Sequence, residues 1–84
     1  MKEALVVIDM QNDFIDGSLG TTEAQKIVPC VIEKINSFSG DLYYTRDTHS
    51  EDYLNTLEGK KLPILHCIKD SFGWKIQKDV WEAG

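Results

Sequence analysis

The most constraining feature of the chain is ALVVID, residues 4–9, a continuous apolar run rich in β-branched residues that closes on an aspartate. A strand without apolar and polar alternation is expected to be buried on both faces, as in a parallel sheet. The next stretch, MQNDFIDGSLGTT, is dense in Asn, Asp, Gly, Ser and Thr and predicts a loop. Thr22 and Gln25 then stand at the spacing of a capping box, and Ala24, Ile27, Val28, Val31, Ile32 and Ile35 recur at helical intervals. Together they predict a helix running to about residue 37. Pro29 falls within that pattern and is compatible with either a first turn or a kink. SFSG ends the helix, with Gly40 suited to a left-handed turn, and DLYYTRD, residues 41–47, predicts a second strand that again ends on an aspartate. Strand, helix, strand is a βαβ unit with a right-handed crossover and parallel strands.

Beyond Asp47 the chain is mostly polar until LPILHCI, which predicts a short extended piece near residues 64–68. Gly73 marks a turn, and Ile76 and Val80 share one face of a short final helix. A parallel sheet needs helices on both faces and usually more strands than these residues supply. The expected fold class is therefore α/β, with residues 1–84 the amino-terminal portion of one incomplete, doubly wound parallel-sheet domain. Further sequence, a partner chain or a homo-oligomer would complete it. An 84-residue chain also buries only about two-thirds of its unfolded surface, so a metal or a partner would supplement a small core.

Nine Lys and Arg against fourteen Asp and Glu give a net charge of -5, with the basic residues scattered, which argues against nucleic acid as a partner. The first apolar run is too short to span a membrane and is followed by DMQND instead of a small-residue cleavage site, so a cytoplasmic protein is expected. Two cysteines, Cys30 and Cys67, show no CxxC spacing and are expected to be reduced, buried small hydrophobes.

Ligands of open α/β sheets bind outside the carboxyl ends of the strands, and Asp9 and Asp47 both occupy that rim. Asp47 and His49, two apart in extended chain, can point the same way and address one ion. A carboxylate with an imidazole suits zinc, manganese or iron better than calcium or magnesium. Further ligands would come from Glu51, Asp52, Glu58 and His66; alternatively Asp47 and His49 simply cap a solvated turn. Asp9 reads either as a turn residue or as a general base partly desolvated by the sheet edge. Phe14 is either an anchor for its loop or one wall of a flat apolar pocket, and Trp74 and Trp81 are expected to be packing residues. Gly17, Gly20 and Gly40 form no phosphate-binding pattern.

ALVVIDMQNDFIDGSLG, YYTRDTH and EGKKLPILHCIKDSFGW, in that order, resemble the nicotinamidases and the wider isochorismatase-like family of cysteine hydrolases. The resemblance covers essentially the whole chain and implies a Rossmann-like three-layer fold. It also implies roles. Asp9 matches the catalytic aspartate that deprotonates a cysteine nucleophile, and Phe14 an aromatic residue that packs on the substrate ring. Asp47, His49 and His66 match metal ligands, and Glu58 matches the fourth ligand of some members. In LPILHC two residues separate Pro63 from His66 where the family pattern has one, which brings both Leu62 and Ile64 into consideration as pocket-lining residues.

By the same likeness, one divalent transition metal, zinc before manganese or iron, holds the ring nitrogen of nicotinamide or a similar small amide. The family's catalytic lysine and nucleophilic cysteine lie on later strands, beyond Gly84. Cys67, adjacent to a ligand in extended chain, should turn away from the site, and Cys30 lies in the helix. The expected function is a nicotinamidase-like amidohydrolase in complete form, with the 84 residues inactive alone. The alternatives are another hydrolase of the family, acting on a vinyl ether or a different small amide, and a noncatalytic fragment.

Overall fold

The computed structural model describes residues 3–84. Strand β1, Ala4–Val7, is followed by a one-turn helix α1, Asn12–Ile15, and by the long helix α2, Thr22–Ser37; strand β2, Asp41–Tyr44, then pairs with β1 in parallel. The register sets Ala4 opposite Asp41 and Val7 opposite Tyr44, so both strands end at one rim and the chain leaves it toward Asp9 and Asp47. This is the expected βαβ unit. After β2 come a 3-10 turn, Tyr53–Asn55, and the short helices α3, Leu57–Lys61, and α4, Lys78–Ala83. No strand forms near residues 64–68, where Cys67 turns left-handed; Ile68 makes an isolated parallel bridge to His49, and Ile76 bridges to Gln11 in the antiparallel sense, ahead of α4 instead of within it.

Local chemistry accounts for the boundaries and corrects some expectations. Thr21, not Thr22, caps α2: its Oγ1 accepts the Ala24 N–H at 3.0 Å, which satisfies one of the unpaired donors of the first turn. Pro29 lies in the helix interior at an exposed position, where water can serve the carbonyl its missing N–H leaves free. Gly40 has φ +145, and a Cβ there would approach the Glu3 carbonyl to 2.5 Å, so this turn into β2 requires glycine. The expected loop after β1 contains α1, and the polar stretch after Asp47 contains α3, whose first turn is capped by Thr56 accepting the Gly59 N–H at 3.0 Å.

The core lies on one face of the sheet. Val7, Ile35 and Val80 are buried together, with Leu5, Leu42 and Tyr44 from the strands and Val28, Val31 and Ile32 from α2 packed around them. Complete burial of a valine such as Val80 contributes roughly 1.5–3 kcal/mol. The opposite face is open: Val6, Ile8 and Tyr43 remain 47%, 66% and 55% exposed. Residues 3–84 therefore do not bury β1 on both sides, as its composition predicts. The radius of gyration, 14.1 Å, likewise exceeds the roughly 12 Å of a compact chain of this length. Among the described residues no helix is long and apolar enough to cross a membrane.

Candidate metal centre

Three of the residues singled out in the sequence converge. One ligand atom each from Asp47, His49 and His66 lies within 4.8 Å of the others. His49 Nε2 is 2.9 Å and His66 Nε2 3.6 Å from the same carboxylate oxygen, Asp47 Oδ2. The backbone brings them together: the His49 N–H donates to the Cys67 carbonyl and the Lys69 N–H to the His49 carbonyl, both at 2.9 Å. Buried His66 has its Nδ1 at 2.8 Å from the Ile64 carbonyl, which selects the tautomer protonated there and leaves the Nε2 lone pair facing Asp47. Tyr53 closes the base of the cluster, its ring centroid 4.5 Å from His49 and 4.9 Å from His66, while its hydroxyl donates to the Leu62 carbonyl at 3.0 Å. Burial, reinforced by Glu58 and Asp47, raises the Tyr53 hydroxyl above its ordinary pKa, so it stays a donor.

The donor set fits a divalent transition metal. Bonds of about 2.0–2.1 Å in a tetrahedral arrangement separate neighbouring ligand atoms by about 3.3 Å. The two contacts to Asp47 Oδ2 lie on either side of that value. Two imidazoles and a carboxylate match zinc better than a hard cation. Glu58 does not join the three: its carboxylate, 76% exposed, lies 3.9 Å from His49 Nδ1, the nitrogen on the far side of the ring from Asp47. Glu51 and Asp52 are exposed and outside the group.

Asp9 sits just past β1 in left-handed backbone, φ 52, a conformation that aspartate tolerates better than most residues. The Thr45 hydroxyl donates to Asp9 Oδ1 at 2.8 Å, and the Asp9 N–H is shared between the Thr45 hydroxyl and carbonyl at 3.1 and 3.3 Å. The carboxylate is thus fixed at the rim, two residues along β2's extension from Asp47. Phe14 is half-buried and tilts against His66, centroids 5.7 Å apart. Leu62 and Ile64 are exposed, at 41% and 39%, beside the loop that carries His66. A concavity of about 840 Å³ lies elsewhere, along β2 with Tyr43, Arg46, Lys75 and Trp81 in its lining, and includes none of Phe14, Leu62 and Ile64.

The two cysteines differ, and only Cys67 is buried as expected. Cys30 is exposed on α2, and Cys67 is completely buried. Cys67 does not continue an extended strand either: its φ is 49, and its N–H donates to Asp13 Oδ2 at 2.8 Å. Burial, with Asp47, Asp13 and Asp9 adding repulsion, pushes its thiol up to about 12, the reverse of what a nucleophile requires. Iodoacetamide applied to the folded chain is therefore expected to label Cys30 and to spare Cys67 until denaturant is added, as peptide mass mapping would show. Rapid native labelling of Cys67 would contradict the burial.

The expected packing role of the tryptophans is only part of their position. Trp81 is 58% exposed and rests on Tyr44, whereas Trp74 donates from Nε1 to Thr48 at 2.8 Å and carries the Arg46 guanidinium 3.9 Å above its ring. In the sequence Gln11, Asn12 and Asp13 are part of a stretch whose composition predicts only a loop. Gln11 and Asn12 are buried, and the side chains of all three bond segments far along the chain.

A crystal structure of the pyrazinamidase of Pyrococcus horikoshii in complex with zinc is similar to this chain at 34% identity and a TM-score of 0.74, over 94% of this chain and 49% of that one. The chain thus spans about half the length of that pyrazinamidase, and its parallel α/β arrangement is part of the same fold. No curated protein matches. The isochorismatase domain matches residues 3–82, and on that extent the chain belongs to the isochorismatase family.

Proposed function

We propose that this chain carries the general base and the metal site of a metal-assisted cysteine amidohydrolase whose substrate is nicotinamide or a closely similar aromatic amide. The observation that carries the reading is the convergence of Asp47, His49 and His66 within 4.8 Å of one another. They lie on the same rim of the sheet as Asp9. A zinc-bound pyrazinamidase among the similar structures supports it, because pyrazinamide and nicotinamide share a ring nitrogen and a carboxamide.

In this reading Asp47, His49 and His66 would hold one zinc ion, with the exposed Glu58 carboxylate 3.9 Å from His49 Nδ1 on the side of the ring away from Asp47. Bound there, a zinc ion would supply a Lewis acid for the ring nitrogen of the substrate. Phe14 packs on the substrate ring, and Leu62 and Ile64 line its apolar edge. Asp9, held by Thr45, accepts the proton of a cysteine thiol. The thiolate then adds to the carboxamide carbonyl, Asp9 returns its proton to the nitrogen so that ammonia leaves, and water, giving a proton to Asp9, hydrolyses the thioester to the acid and releases the thiol. Neither Cys30 on α2 nor buried Cys67 is that nucleophile. Residues 1–84 are accordingly the amino-terminal part of one domain and inactive alone, a reading supported by the open sheet face and by the twofold length of the similar structure.

Cobalt(II) in place of zinc gives this site a visible spectrum. Nicotinamide is expected to shift the ligand-field bands of the cobalt-loaded chain, whereas benzamide, which lacks the ring nitrogen, leaves them unchanged. A spectrum indifferent to nicotinamide would refute the substrate assignment.

A further inference from the structure

Two side chains of the QND triplet bond the backbone of the metal-bearing segments without belonging to the ligand group. We propose that Gln11 and Asp13 are positioning residues of the metal centre, holding Asp47 and the chain beside His66 in place before any ion binds. This rests on the metal reading above.

Gln11 is completely buried. Its Nε2 donates to the Asp47 carbonyl at 2.9 Å and to the Trp74 carbonyl at 2.7 Å, and its Oε1 accepts the Asp47 N–H at 2.8 Å. One amide therefore grips both backbone groups of a single residue, as a neighbouring strand would. Asp47 needs such a substitute because β2 ends at Tyr44. Asp13 accepts the Cys67 N–H at 2.8 Å, immediately after His66, where the backbone turns left-handed at φ 49. A carboxylate is a strong acceptor for an amide, and it holds a conformation that cysteine disfavours.

Both residues belong to one fixed piece of chain. The Asn12 N–H donates to the Lys75 carbonyl and the Asp13 N–H to the Gly73 carbonyl, each at 3.0 Å, while Asn12 Nδ2 donates to the Phe72 carbonyl at 2.9 Å. At Gly73 a Cβ would come within 2.1 Å of the Asp13 carboxylate, so glycine is what admits Asp13 to this position. The two halves of the metal site are thus registered to a single turn at the end of β1.

Partners of metal ligands typically change metal affinity by about 10–100-fold when removed. Gln11→Glu, which loses the donor to Asp47 and Trp74, and Asp13→Ala are expected to weaken zinc binding by that factor in chelator competition and to alter the cobalt(II) spectrum. Asp13→Asn keeps an acceptor and should recover most of the affinity. Val80→Ala, in the distant core, should lower the unfolding midpoint and leave the zinc affinity of the folded chain unchanged. Unchanged affinity and spectra in Gln11→Glu and Asp13→Ala would overturn the proposal, as would an equal loss in Val80→Ala. A parent chain that binds neither zinc nor cobalt overturns the metal reading and this one with it. Hydrogen exchange in the unsubstituted chain decides independently of variant folding: the Asp47 and Cys67 amides should be protected without zinc, and protection that appears only with zinc would mean that the ion orders these loops.

Discussion

Replacing His66 with alanine is expected to abolish stoichiometric zinc binding. A structural zinc site contributes roughly 10–16 kcal/mol in total, so loss of one of three protein ligands removes about 3–5 kcal/mol, or about two to four orders of magnitude in affinity. His66 is the least replaceable of the three because it is buried and its tautomer is fixed by the Ile64 carbonyl. Asp47→Ala should be comparably severe, since its Oδ2 is the atom both imidazoles face. Glu58→Gln should change affinity by only about tenfold, the scale of a residue acting through a ligand, because its exposed carboxylate addresses the outer nitrogen of His49. Elemental analysis with chelator competition measures all three, and stoichiometric metal surviving both Asp47→Ala and His49→Ala would remove the assignment. The same ion should matter for the fold. Zinc at a thousandfold excess over Kd adds about 4 kcal/mol, a large increment for a chain whose core centres on Val7, Ile35 and Val80.

The βαβ unit was legible because hydrophobic period reports local structure directly, and the ends of its predicted strands place Asp9 and Asp47 on one rim. Burial on both faces of β1, which the apolar run ALVVI predicts, is not met within residues 3–84, where Val6 and Ile8 stay exposed on the face opposite the core. What sequence did not reveal falls into two kinds. One is phase: Thr21 and Thr22 are both competent caps, and only the first helical residue decides between them, while Cys30 is one position off the apolar stripe of Val28, Val31 and Ile35 and so faces water. The other is long-range bonding. Gln11 to Asp47 spans 36 residues and Gln11 to Trp74 spans 63, and nothing in the composition of a polar loop distinguishes such a latch from solvated turn residues. Among the ligands, the DxH spacing and His66 came together through the bridge between His49 and Ile68, whereas the position of Glu58 depends on the direction of an exposed side chain on α3.

Asp9→Asn is the substitution that separates catalysis from architecture. Asparagine tolerates the left-handed backbone that Asp9 adopts, and its Oδ1 can still accept the Thr45 hydroxyl, so the turn, the sheet and the zinc content should be preserved. What it lacks is a carboxylate to take a proton. Loss of a general base typically lowers the rate by about 10²–10⁴-fold. That is the expected fall in ammonia release from nicotinamide when the 84 residues are continued by downstream coding sequence that includes the family's lysine and cysteine. The 84-residue chain itself should release no ammonia with either residue at position 9, because neither of its thiols can act as the nucleophile. Thr45→Val provides the intermediate case: it retains the carboxylate and removes the 2.8 Å bond that aims it, so activity should fall less than in Asp9→Asn while zinc binding stays intact. Undiminished ammonia release by Asp9→Asn would show that the base is another group, and the rim aspartate would revert to a turn residue held by Thr45.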